Sequence, residues 1–180
     1  MKTNRLAIAL LLAGCGSGSI GGTDPNGFNT AKGSSVLVAG VTQVTLTSTG
    51  GGLEAPRPAG AACDPGLFVY TVDFAGQTLA ASNCVVNGDW SDAASFVPFD
   101  GVINLDASQW ASVEAAIAGV TVTDDSKCGA DAPSRNLVVA KAAASITYGD
   151  DFYGCLKQYA HYVSYDNLYA LQATLEGIPH

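Results

Sequence analysis

Four widely spaced cysteines constrain the fold of this 180-residue chain more than any other feature. They are Cys63, Cys84, Cys128 and Cys155, and a fifth cysteine, Cys15, stands alone near the N-terminus. An even set at wide spacing is typical of disulfide-braced exported domains, and four cysteines allow three pairings. A zinc site is the alternative, but the sequence contains no Cys-x-x-Cys motif. The pattern predicts two disulfides and no metal or other cofactor.

The N-terminal segment predicts export. Lys2 and Arg5 form a basic start, and an unbroken apolar run over residues 6–12 follows and ends in small residues. This order is that of a secretory signal, and the run is too short to span a bilayer. Export would place the chain in an oxidising compartment, where the predicted disulfides can form.

The stretch Leu12-Ala13-Gly14-Cys15 resembles the lipobox of bacterial lipoproteins. The resemblance implies that Cys15 receives diacylglycerol, that the chain is cut before it, and that the new terminus is acylated. Gly16 follows the cysteine where an inner-membrane retention signal has Asp, so the resemblance favours the outer membrane. An ordinary signal peptide that is cut elsewhere is the alternative.

Three segments are therefore expected along the chain. Residues 1–14 are the signal peptide, residues 15–35 are a lipidated cysteine followed by a Gly- and Ser-rich flexible tether, and residues 36–180 are a single domain. The lipid holds the protein to the cell envelope without inserting its backbone in the membrane.

Charge limits the partners of this domain. The formal net charge is −8 and becomes −10 once Lys2 and Arg5 leave with the signal. An acidic domain without a basic cluster is unsuited to nucleic acid. The expected partners are the membrane, through the lipid anchor, and another envelope protein or a glycan.

Hydrophobic periodicity predicts an α+β fold. Strands are expected over residues 36–49 (bent at Gly40), 67–74, 78–86, 96–105 (interrupted at Pro98 and Gly101) and 137–148. Asp106 and Ser164 are predicted to cap two amphipathic helices, each framed by a hydrophobic staple. We expect a mainly antiparallel sheet with both helices packed on one face and two disulfides.

The two helices repeat one spacing. Trp110 and Leu168 are 58 residues apart, and so are Gly119 and Gly177. The offset suggests two similar halves, at about 36–120 and 121–180. In that arrangement Cys63 pairs with Cys84 and Cys128 pairs with Cys155.

A second resemblance covers residues 67–178. The strand Tyr-Thr-Val-Asp-Phe-Ala-Gly from Tyr70, the turn Cys-Gly-Ala-Asp from Cys128, and Tyr-Gly-Asp-Asp-Phe-Tyr-Gly-Cys from Tyr148 are similar to small uncharacterised lipoprotein domains of bacterial envelopes. The resemblance implies a fold and carries no activity.

Catalytic patterns are weak. His161 precedes Ser164 and Asp166, but neighbours in sequence rarely converge into a triad, so we interpret the segment as a strand or turn that packs on the sheet. The acidic pairs Asp124-Asp125 and Asp150-Asp151 are interpreted as solvated turns. We expect a protein that is not an enzyme.

Three functions follow in order of preference. The first is a non-catalytic binding or structural role at the envelope, through an exposed patch involving Trp90, Tyr153, Tyr159 or Tyr162. The second is a protease inhibitor that presents the Pro56-Arg57-Pro58 loop, although Pro58 makes the bond after Arg57 a poor one for a trypsin-like enzyme. The third is a hydrolase with an unrecognised site.

Overall fold

The computed structural model describes residues 22–50, 57–129 and 133–179 of the chain. The signal segment and Cys15 lie outside this described part. The strands are β1 (Val41–Thr49), β2 (Leu67–Asp73), β3 (Thr78–Val86), β4 (Phe96–Asn104), β5 (Val122–Thr123), β6 (Arg135–Lys141), β7 (Ala144–Asp150) and β8 (His161–Val163). The helices are α1 (Ala107–Gly119) and α2 (Tyr165–Glu176).

The strands form one sheet in the order β4-β3-β2-β1-β6-β7-β8-β5. Neighbouring strands run antiparallel except β7 and β8, which run parallel. The fold is therefore α+β with a mostly antiparallel sheet, as predicted. No helix within the described ranges has the length and apolar character needed to cross a membrane.

Alternation along the strands creates one buried face. On β2 the side chains of Phe68, Tyr70 and Val72 are buried, as predicted, while Leu67 and Val69 on the other face are exposed. The buried face belongs to the same core as the apolar stripes of both helices, which consist of Val113, Ile117, Leu168, Leu171 and Leu175. Both helices thus cover one face of the sheet.

The two helices begin in different ways. The Asp106 carboxylate accepts the backbone N–H groups of Ser108 and Gln109, and the Gln109 side chain accepts the N–H of Asp106, which is the predicted capping box. Ser164 is the N-cap residue of α2, as predicted, but its side chain makes no capping hydrogen bond.

The folded domain begins earlier than the sequence predicts. Phe28 and Val36 are fully buried in the core, and the Tyr148 hydroxyl donates to the Asn29 carbonyl at 2.7 Å. The assignment of residues 22–35 to a flexible tether is therefore wrong. Besides Phe28, backbone hydrogen bonds hold this stretch of small and polar residues, since the N–H groups of Gly33 and Val36 donate to the carbonyls of Val122 and Val120.

Strand β4 is continuous, whereas interruptions at Pro98 and Gly101 were expected. The strand lies at an edge of the sheet, where proline is tolerated because one side of its backbone has no partner strand. Pro98 lies opposite Cys84 of β3.

The disulfides are Cys63–Cys84 and Cys128–Cys155, with Cα atoms 5.6 Å and 5.3 Å apart. This pairing is the one expected for two similar halves. The halves differ in topology, because the β2–β3 hairpin lies on one side of β1 and the β6–β7 hairpin lies on the other, while both face the same core.

Candidate functional site

The face of the sheet opposite the helices carries exposed apolar side chains. Leu67 is 47% exposed, Val69 is 39% exposed, and Val102 on β4 is 70% exposed. Single exposed apolar residues are ordinary, but neighbours on one sheet face mark an interaction surface. We call this side of the sheet the outer face.

A groove of about 390 Å³ lies beside the Cys63–Cys84 bridge on the outer face. Its lining includes Arg57, Asp64, Leu67, Ser82, Pro98 and Asp100. A second depression of about 350 Å³ shares Leu67 and Ser82 with it and extends to Val69. We call the two depressions together the outer-face groove.

The wall of the outer-face groove is held in place by short-range contacts. The Asp64 carboxylate accepts the N–H of Gly66 at 2.9 Å, and the Asp64 carbonyl accepts the N–H of Leu67 at 3.0 Å. The Ser48 hydroxyl donates to the Gly66 carbonyl at 2.9 Å, which fastens the loop to β1. Because Cys63 is also bridged to β3, the wall is preorganised and little ordering is required on binding.

The chemistry of the outer-face groove is mixed. Leu67 and Val69 provide apolar surface, Arg57 provides hydrogen-bond donors, and the carboxylates of Asp64 and Asp100 provide acceptors. A concave apolar surface with a few polar groups at its rim suits a ligand that is itself part apolar and part hydroxylated. The rim carries one positive and two negative side chains, so it does not favour a polyanion.

Part of the predicted inhibitor loop, Pro56-Arg57-Pro58, lies at the outer-face groove. Pro56 lies outside the described residues, whereas Arg57 lines the concave wall of the outer-face groove. Inhibitor loops of proteases must project into the enzyme's cleft. A basic residue that lines a concavity is therefore better placed to contact a ligand in the groove.

The four predicted binding aromatics do not form one patch. Trp90 is 47% exposed in the β3–β4 connection, where its ring packs edge-on against Phe96. Tyr153 packs edge-on against Phe152, near the other side of the sheet. The four residues lie in separate places because β3 and β8 lie near opposite edges of the sheet.

Tyr159 and Tyr162 do lie together. Their ring centroids are 6.3 Å apart in an edge-on arrangement, and the Tyr159 backbone N–H donates to the Tyr162 hydroxyl at 3.2 Å. A Cβ added to Gly149 would lie 2.2 Å from the Tyr159 ring, so the ring covers Gly149. Since Tyr148 and Asp150 are buried on the core side of β7, the covered Gly149 surface belongs to the outer face.

His161 lies on β8 and its ring centroid is 6.3 Å from that of the buried Tyr148. The segment is thus a strand that packs into the sheet, as predicted. Burial raises the pKa of Tyr148 to about 12.

Asp150 and Asp151 are not in a solvated turn, and that prediction is wrong. They are 2% and 3% exposed. Asp150 accepts the backbone N–H groups of Arg135 at 2.6 Å and Tyr153 at 3.2 Å. Burial raises the pKa of Asp150, although these two hydrogen bonds act in the opposite direction. By contrast, Asp124 and Asp125 are exposed and pair with Lys32.

Arg135 completes this buried polar cluster. Its Nε donates to the Gln172 side chain of α2 at 2.6 Å, and its guanidinium lies over the rings of Tyr165 and Tyr169, at 5.0 Å and 5.6 Å from their centroids. These contacts fasten α2 to β6 and β7. The buried cluster of Arg135, Asp150 and Asp151 therefore helps to hold α2 in place against the sheet.

Sequence reasoning missed most of the groove residues, among them Leu67, Val69, Ser82 and Asp100. One signal for them existed, since the β2 pattern places apolar Val69 on the face opposite Phe68 and Tyr70. Comparison with protein-family models, with curated proteins and with solved structures finds no match to this chain.

Proposed function

We propose that this protein is a lipid-anchored cell-envelope protein with a non-catalytic binding role, and that the outer-face groove is its binding site. The observation that carries the proposal is the uncovered face of the sheet. Leu67, Val69 and Val102 are exposed there beside a concavity with a preorganised wall. Exposed apolar patches of this kind mark surfaces that a binding partner covers.

The anchor supports the same role. A basic start, a short apolar run and Leu12-Ala13-Gly14-Cys15 are the features on which lipidation at Cys15 is proposed. Two or three acyl chains hold a protein at a membrane, since each buried CH₂ contributes about 0.8 kcal/mol. A protein fixed at a surface meets its ligand at high effective concentration, so modest affinity in the groove suffices.

The anchor is tested by comparing the wild-type chain with Cys15→Ser in cells that incorporate labelled palmitate. We expect label and membrane recovery for the wild type only. Equal membrane recovery of both chains would contradict the anchor.

Binding is tested by adding the protein, extracted from membranes in mild detergent, to envelope fragments from cells that lack it. Leu67→Ser and Val69→Ser should weaken binding on the order of tenfold, because each removes apolar contact area. Ala118→Ser is the matched control, since it adds a hydroxyl to an exposed position on α1. Equal binding by all four proteins would exclude the outer-face groove as the site.

A further inference from the structure

A row of neighbouring residues crosses the outer face from the groove to the paired tyrosines. Asp100 of β4 lies opposite Ser82 at the groove end. From Ser82 onward the register of the strands places Ser82, Val69, Thr47, Asn136, Gly149 and Tyr162 side by side on the neighbouring strands β3, β2, β1, β6, β7 and β8. We call this set the transverse row. At the usual spacing between strands its length is roughly 24 Å.

The charged groups of Arg57, Asp64 and Asp100 lie at the groove end of the outer face, and the transverse row itself is uncharged. It consists of hydroxyl, amide, apolar, glycine and phenol positions, in a chain whose formal net charge is −8. The next row along the strands continues this character with Thr71, Thr45, Val138 and Thr147. The middle of the outer face therefore offers no ion pair to a charged partner, and the carboxylates of Asp64 and Asp100 at the groove end disfavour an anion.

The hydrogen-bonding groups of the transverse row both donate and accept. Ser82 and Thr47 carry hydroxyls, and Asn136 carries an amide with two donor hydrogens and an acceptor oxygen. Such groups match a ligand whose own groups also donate and accept, as sugar hydroxyls do. A ligand of this kind leaves few polar groups unpaired when it covers the row.

An aromatic surface ends the row. The Tyr159 ring covers Gly149 on the outer face and stands beside Tyr162. A tyrosine offers an apolar ring face with a polar hydroxyl at its tip. A sugar ring has the complementary character, with an apolar C–H face and hydroxyls around its edge. Near the other end of the row Val69 and the neighbouring Leu67 provide a second apolar contact, beside the Asp100 carboxylate.

We propose that the ligand of the outer face is a neutral glycan chain, lying across the strands from the outer-face groove to Tyr159 and Tyr162. The inference rests on the proposed binding function and names its ligand class. A row of uncharged polar groups between two apolar contacts, with the carboxylates of Asp64 and Asp100 available at the groove end to accept hydrogen bonds from hydroxyls, fits a chain of several sugars. The buried core of a protein–protein interface is its most apolar part, whereas the middle of the transverse row carries the polar side chains of Thr47 and Asn136.

The test uses untreated envelope fragments from cells lacking the protein, the same fragments after exhaustive protease digestion, and the same fragments after periodate oxidation, which cleaves vicinal diols of sugars. The proposed ligand is a glycan whose sugars carry vicinal diols, so binding should survive protease and be lost after periodate. Binding that is lost after protease, or that survives periodate, overturns such a glycan and leaves the proposed binding function standing. Absence of binding to untreated fragments overturns both.

Variants locate the glycan on the row. Asn136→Ala and Tyr159→Ala should each weaken binding to protease-treated fragments on the order of tenfold. Tyr159→Phe keeps the ring and should change binding less than about threefold. Trp90→Ala is the matched control, because Trp90 is exposed but lies off the row. Should Tyr159→Ala fail to fold, Asn136→Ala decides, and unchanged binding by it overturns the placement.

Discussion

Asp151 caps helix α2 from outside the helix, since its carboxylate accepts the backbone N–H of Tyr165 at 2.8 Å. Its second oxygen lies 3.2 Å from the ammonium of Lys127, which is half exposed. A buried carboxylate thus replaces Ser164, whose side chain makes no capping bond. The charge also suits the N-terminal end of a helix, where the backbone dipole is positive.

Asp151→Ala should lower the free energy of unfolding by about 2 kcal/mol, because the helix loses its cap and Lys127 loses its partner. Asp125→Ala is the matched control, since Asp125 pairs with Lys32 at an exposed site. Ion pairs at the surface contribute little to stability, so we expect Asp125→Ala to lower the free energy of unfolding by less than about 1 kcal/mol. Urea unfolding of the two variants measures the difference, and equal losses would contradict the capping role.

Asp150 should make stability depend on pH in a direction opposite to that of most carboxylates. Burial raises its pKa in the folded state, so the folded protein binds this proton more tightly than the unfolded chain does. The contribution of Asp150 to stability is therefore fully present below the unfolded pKa and is lost as the pH rises through the folded pKa.

Asp150→Asn removes this titration. Urea unfolding from pH 7 down to about pH 4 should show the wild type gaining stability relative to the variant as the pH falls. A difference that is constant over this range, or that changes in the other direction, would show that the pKa of Asp150 is not raised.

Gly149 should not tolerate a side chain. An added Cβ would lie 2.2 Å from the Tyr159 ring, so Gly149→Ala should displace that ring and destabilise the fold by about 1–3 kcal/mol. Gly119→Ala is the control, because nothing lies within 4 Å of its added Cβ and alanine favours a helix. Thermal unfolding compares the two. A neutral Gly149→Ala variant would mean that Tyr159 does not rest on the outer face.

The Cys63–Cys84 bridge should stabilise the fold and brace the wall of the outer-face groove. The bridged cysteines are 21 residues apart, which corresponds to about 3 kcal/mol of stabilisation if the bridge acts on the unfolded chain. A Cys63→Ala, Cys84→Ala double variant should unfold at lower urea and be cleaved faster by trypsin at Lys and Arg sites. Unchanged urea unfolding would argue against this contribution.

Tyr148→Phe should cost about 1 kcal/mol at neutral pH, because the Asn29 carbonyl loses its donor. The pKa of Tyr148 is raised to about 12, so its contribution is present below pH 10 and is lost as the pH rises toward 12. Between pH 9 and pH 11 the wild type should therefore lose more stability than the variant. If the stability of the wild type and that of Tyr148→Phe fell equally over this pH range, the raised pKa of Tyr148 would be contradicted.

Local patterns predicted much of the fold. The alternation of Phe68, Tyr70 and Val72 placed one face of β2 in the core, and the box of Asp106 and Gln109 placed the start of α1. These features depend on residues a few positions apart. Such short-range features can therefore be predicted from the sequence without knowing how the strands pair.

Long-range contacts explain what the sequence did not predict. Phe28 is buried beneath Lys141, whose ammonium lies 4.6 Å from the ring centroid, and this pairing joins residues far apart in the chain. Asp150 and Asp151 resemble a solvated turn in sequence, but Arg135 and Tyr165 supply their backbone donors. The outer-face groove likewise exists only where the loop at Cys63 folds back onto β3.

The most direct measurement of the central claim is hydroxyl-radical footprinting of the protein in intact envelopes and after purification. The account predicts that Leu67, Val69, Tyr159 and Tyr162 are protected in the envelope, while exposed Trp90 and Tyr169 are oxidised equally in both samples. Protection of Tyr169 on α2 instead, or equal oxidation of all six side chains in both samples, would contradict a binding role for the outer face.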